Sequence, residues 1–150
     1  MTTETASQSP IDTVEIQKVI DIAAPIEIAF EAMLEEIGPG GEMPGGKPFP
    51  MVVEQWPGGR WYRDLGDNNG HFWAHVQAIK RPTLLEFTRP LFMSYPVISN
   101  LQYRLSEQEG ETLIQFHHAA LGFIPEDYRK EMVKGWSSMH ERTRTRAEKK

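Results

Sequence analysis

Histidine is the side chain best suited to hold a metal or move a proton near neutral pH, and the chain carries five: His71, His75, His117, His118 and His140. On one strand His71 and His75 share a face but stand ~13 Å apart at ~3.3 Å per residue, too far for one ion. His117 and His118 are adjacent, so a strand sends them to opposite faces. The spacing argues against a metal site, and the absence of cysteine removes thiolate ligands, disulfides and thiol catalysis. His118 alternates with Ile114 and Phe116, so it shares their face, expected to be the concave one. There it is either a hydrogen-bonded polar residue at the end of the core or a polar anchor for a ligand carbonyl or carboxylate, and the spacing fits both.

Other chemical motifs fail on their context. The segment from Gly41 to Lys47 has the spacing of a phosphate-binding loop, but Pro48 stands where a hydroxyl must reach magnesium, and Pro48 and Pro50 forbid the helix that would hold the phosphate. Arg63 and Asp64 are neighbours on a strand and face opposite sides. No Ser-His-Asp order with a nucleophile elbow is present. No residue pattern announces a reaction, and no cofactor is expected.

What remains is aromatic and apolar surface. Trp61, Trp73, Phe87, Phe92, Tyr95, Phe116, Tyr128, Met132 and Trp136 are the expected walls of a ligand pocket, with His118, Tyr128 and His75 as candidate polar anchors. His75 shares a face with Trp73, while Phe72, Ala74, Val76 and Ala78 compete for the inward side; the sequence leaves that choice open. Gly135 falls in the middle of a helix, where glycine costs ~1 kcal/mol against alanine, so close packing or reserved space is expected there. The apolar connection 91–97, with its methionine and aromatics, suits an adaptable entrance.

The elements that would position these residues can be read in order. Residues 14–22 predict a strand and Pro25 opens a short amphipathic helix over 26–37. Residues 38–50 are rich in glycine and proline and predict a mobile loop. Strands are predicted over 51–56, 60–65, 71–79, 84–88, 99–106 and 111–121. A two-residue hairpin at Pro57-Gly58-Gly59 would set Trp56 against Trp61 and Glu54 against Arg63. Pro125, Glu126 and Asp127 start a final helix reaching about residue 146. Successive hairpins make the sheet antiparallel, and two helices can cover only one of its faces.

At 150 residues the chain is one domain, expected over 13–147 after a disordered polar lead-in at 1–12. The net charge of −5 argues against nucleic acid as a partner. No apolar run is long enough to span a membrane. The start of the chain is unlike a secretory signal, so the cytoplasm is the expected compartment. A homodimer is allowed.

Several segments resemble the START/Bet v 1-like (SRPBCC) superfamily, and within it single-domain proteins related to the C-terminal domain of the Hsp90 ATPase activator. They are Ala24-Pro25-Ile26-Glu27-Ile28-Ala29-Phe30, Trp56-Pro57-Gly58-Gly59-Arg60-Trp61, Pro82-Thr83-Leu84-Leu85-Glu86-Phe87-Thr88, Gly110-Glu111-Thr112-Leu113-Ile114 and the pair Gly135-Trp136. The loop 38–50 lies where relatives often carry a second short helix. The resemblance implies an α+β helix-grip fold, a curved antiparallel sheet of about seven strands packed on one face by a short N-terminal and a long C-terminal helix, with a cavity between sheet and long helix. The leading functional expectation is binding of a small hydrophobic molecule in that cavity. The alternatives are a cyclase- or hydrolase-type enzyme acting there on a polyketide-like or aromatic substrate, and a co-chaperone-like or stress-related interaction protein.

Overall fold

The structure is a computed structural model that describes residues 2–8, 10–91 and 94–149. Strand β1 (Asp12–Ile22) leads through Pro25 into helix α1 (Ile26–Ile37). The proline at the N-cap and Glu27 in the first turn suit a helix start. Strands β2 (Val52–Val53), β3 (Arg60–Gly66), β4 (Asn69–Lys80), β5 (Leu84–Arg89), β6 (Val97–Gln108) and β7 (Glu111–Gly122) follow, then helix α2 (Glu126–Glu148). One antiparallel sheet results, in the order β1-β7-β6-β5-β4-β3-β2. The chain's first strand closes one edge beside its last. Alternate residues of β6 and β7, among them Leu101, Tyr103, Ile114 and Phe116, point into one core, which also takes the buried faces of α1 and α2. Both helices therefore cover the same face of the sheet, as expected.

Helix α2 carries Glu126 and Asp127 in its first turn and Arg146 in its last, each matched to the helix dipole. Its fully buried positions lie in the C-terminal half, Trp136, His140, Thr143 and Ala147, with Met132 and Met139 partly buried against the same core. The N-terminal half, with Tyr128 and Met132, is only half-buried.

Three local expectations are corrected. The strand expected over 51–56 shortens to β2, and Val53 pairs with Trp61. Glu54 consequently meets Arg60, not Arg63, with Nε to Oε1 and Nη2 to Oε2 both 2.8 Å. Trp56 is 57% exposed and does not face Trp61. Gly59 lies so close to the backbone of Glu54 that a Cβ there would stand 2.1 Å from the Glu54 carbonyl oxygen, a tightness that only glycine permits.

The loop 38–50, expected to be mobile, is tied by backbone hydrogen bonds. Met43 N–H donates to Lys47, Phe49 N–H to Gly41 and Met51 N–H to Gly38.

The ambiguity in β4 resolves through a bulge. Tyr62 pairs with Phe72 and Trp61 with Ala74, so Trp73 is the extra residue. A bulge breaks the two-residue alternation, and Trp73 packs on the core together with Ala74 and Val76. His75 is thereby sent outward. Its Nδ1 lies 3.0 Å from the Gly58 carbonyl oxygen, and its ring packs on the exposed Phe72.

Candidate functional site

A cavity of about 280 Å³ lies between α2, the loop 38–50 and the sheet. One face of α2 forms a wall: Tyr128, Glu131, Met132, Gly135, Trp136, Ser138, Met139 and Arg142 recur at helical spacing. Phe49 and Trp73 face them, with Leu91 from the connection after β5 and Glu42, Met43 and Pro44 from the loop. His118 completes the lining. The walls are overwhelmingly apolar and aromatic, and the volume sits just below the usual range of ~300–1,000 Å³ for small-molecule sites. A Cβ added to Gly135 would meet no atom within 4 Å. Of the two explanations for that glycine, close packing is therefore excluded and open space remains.

Of the expected pocket residues, Trp73, His118, Tyr128, Met132 and Trp136 line this cavity. Trp61, Phe87 and Phe116 are fully buried behind it. Trp61 contacts both Trp73 (ring centroids 5.2 Å apart) and Phe87 (4.6 Å), and Phe116 supports Trp136 at 5.1 Å. Tyr95 packs edge-on against Tyr128 at 5.2 Å. Phe92 lies outside the described residues. His75 does not belong to the site, because the bulge at Trp73 turns it to the outer face. The lining residues not anticipated are Phe49 and the loop positions Glu42, Met43 and Pro44, together with Glu131, Ser138, Met139 and Arg142 on α2, while Leu91 comes from the connection expected at the entrance. Those on α2 were within reach of the helical period counted from Tyr128.

His118 is a hydrogen-bonded core residue that also lies on the cavity lining. Trp136 Nε1–H donates to its Nδ1 at 3.1 Å. That leaves the proton on Nε2, which donates to Ser99 Oγ at 3.1 Å, and Ser99 Oγ–H donates to the Pro90 carbonyl at 3.2 Å. The relay holds the Trp136 indole in the cavity wall. Burial first, and His117 second, lower the His118 pKa to about 4. A second buried imidazole, His140, sits among Tyr103, Phe116 and Trp136, with Nε2 3.2 Å from Tyr103 Oη. Burial, then Lys18, lower its pKa to about 3.

The roof of the cavity is fastened to α2. Arg142 Nη2 donates to the Glu42 carbonyl at 2.9 Å, and Arg146 Nη2 to the Gly40 carbonyl at 3.1 Å. Both guanidinium groups also bind the carboxylate of Glu36, a buried residue of α1. Beneath the roof, Trp73 Nε1–H is buried with no acceptor among the described residues.

Among the described residues, no group of three or more His, Asp or Glu side chains could hold a metal ion, and no helix is long and apolar enough to cross a membrane.

An antiparallel sheet gripping a long C-terminal helix, with a cavity between them, defines the Bet v 1-like helix-grip class. Solved structures agree. An uncharacterised protein from Rhizobium leguminosarum is similar over 95% of this chain and 100% of its own, with a TM-score of 0.69 at 14% identity. A Staphylococcus aureus protein of unknown function is similar over 93% and 96%, with a TM-score of 0.67 at 15% identity. Ara h 8.0201 is similar over 91% and 98%, with a TM-score of 0.65 at 9% identity. No curated protein matches the sequence significantly. Residues 47–146 match the model of the family described as Activator of Hsp90 ATPase homolog 1-like protein, and the chain belongs to that family.

Proposed function

We propose that this chain binds a small, largely apolar molecule in the cavity between α2, the loop 38–50 and the sheet. The observation that carries the reading is Gly135. A mid-helix glycine gives up ~1 kcal/mol against alanine, yet nothing near Gly135 would obstruct a methyl group. The helix forgoes that stability where the result is room beside Trp73, Met132 and Trp136. Positive φ at Arg89, Leu91 and Ser94, rare for non-glycine residues, gathers strain in the connection that supplies Leu91 to the wall. Soft Met43, Met132 and Met139 side chains would adapt the walls to a guest.

Gly135 also supplies the test. Gly135→Ala is expected to raise folding stability by roughly 0.5–1 kcal/mol, read by urea denaturation. Gly135→Leu fills the cavity and is expected to weaken binding of the neutral fluorophore N-phenylnaphthylamine by about tenfold or more. Undiminished binding by a folded Gly135→Leu variant would remove the cavity as the site. Native mass spectrometry of protein purified from its source should show a copurifying small molecule that Gly135→Leu protein lacks.

A further inference from the structure

Resting on the reading of the cavity as a ligand site, we propose that its ligand is an organic cation: an apolar or aromatic body carrying a protonated nitrogen. Three charged side chains line the cavity, Glu42, Glu131 and Arg142. The single cation among them is already committed. Arg142 binds Glu36 through Nε, Ser138 through Nη1 and the Glu42 carbonyl through Nη2. The carboxylates of Glu42 and Glu131 have no partner among the described residues. One belongs to the roof loop and the other to α2, so they approach the cavity from separate elements.

The wall charge left uncompensated is therefore negative, carried by a half-buried Glu42 and an exposed Glu131 at the edge of the apolar surface. Phe49, Trp73, Tyr128 and Trp136 add aromatic faces, whose negative quadrupole attracts a cation within ~6 Å. An anionic ligand would meet the opposite conditions. It would be repelled by Glu42 and Glu131, and it would have to compete with the buried Glu36 carboxylate for Arg142.

The test uses three probes with one body and different charge: naphthylmethylammonium, naphthylmethanol and naphthoate, titrated calorimetrically at pH 7. The ammonium is expected to bind about five- to tenfold tighter than the alcohol, the sum of two partly exposed charge pairs, and the carboxylate more weakly than the alcohol. Glu42→Gln/Glu131→Gln should abolish the preference while leaving alcohol binding unchanged. Glu107→Gln/Glu111→Gln, which removes the same charge from the exposed β6–β7 hairpin, should retain it. If the alcohol binds but the ammonium binds no tighter, or the carboxylate binds best, or the preference survives the Glu42/Glu131 change, the cation assignment is overturned while the cavity stands as a binding site. If none of the three binds, the ligand-binding reading itself fails and this assignment falls with it.

Discussion

Lowering the pH from 7.5 to 5 is expected to remove about 4 kcal/mol of folding stability, because two buried neutral imidazoles keep their folded pKa values far below the unfolded one. The folded values are about 4 for His118 and about 3 for His140, against 6.5 when exposed. Well above pH 6.5 both rings are neutral in either state and contribute no pH dependence. As the pH falls through 6.5 the unfolded chain takes up two protons that the folded chain does not, so stability declines. The decline ends only when the folded rings themselves protonate, near pH 4 and pH 3. The hydrogen bonds explain why protonation is resisted. A proton on His118 Nδ1 would confront the Trp136 Nε1–H that now donates to it. One on His140 would place a charge among Tyr103, Phe116 and Trp136, with Lys18 nearby. Exposed carboxylates act in a different window. Hydrogen bonds from Arg60 hold Glu54 down to about 2, and those from Gln17 and His117 lower Glu15, so both lose their contribution only below the ordinary carboxylate range. Urea unfolding at half-unit steps from pH 7.5 to 5 isolates the histidines. A flat profile over that span would show that these rings are not buried neutral. His140→Phe, which keeps an aromatic ring in the box, should halve the slope.

Legibility in the sequence followed the range of the forces involved. Helix α1 could be bounded from Pro25 and its apolar period because both signals are local. Six of the seven strands could likewise be placed from alternation and turn residues, with differences only at their ends. The bonds that fasten the loop 38–50 are not legible in its own composition, because Arg142 and Arg146 lie about a hundred residues further along the chain. The β2–β3 register departs from the expected one because Pro57-Gly58-Gly59 sits within a wider turn than a two-residue hairpin. Trp73 and His75 could not be assigned to faces by parity, since one inserted residue inverts every later position. His118 was recognisable from its alternation with Ile114 and Phe116. His140 was not, because its burial depends on Tyr103 from a strand far away in sequence. The cavity wall on α2 was readable as a helical stripe, whereas the wall from the loop was not.

Replacing Glu36 with alanine is expected to destabilise the fold by about 3–5 kcal/mol, lowering Tm by roughly 10 °C. Glu36 is 1% exposed and is the carboxylate shared by Arg142 and Arg146. Burying such a charge is unfavourable unless hydrogen bonds and opposite charge compensate it, so an intact cluster adds little net stability while a broken one costs much. Removing Glu36 leaves two guanidinium groups at the helix interface with the carbonyls of Gly40 and Glu42 and the Ser138 hydroxyl as their remaining anchors. Their side chains are 21% and 30% exposed, so they can swing toward water, which places the expected loss near the lower end of that range. As they turn outward they release the roof of the cavity. The consequence is specific: amide exchange at Met43 and Phe49, whose N–H groups bond within the loop, should accelerate more than exchange in β6 or β7. Glu36→Gln, which preserves shape and hydrogen-bonding capacity, should fall between alanine and the natural residue in both measurements. A loss under about 1 kcal/mol with unchanged exchange at Met43 and Phe49 would show that the arginines hold the roof without Glu36.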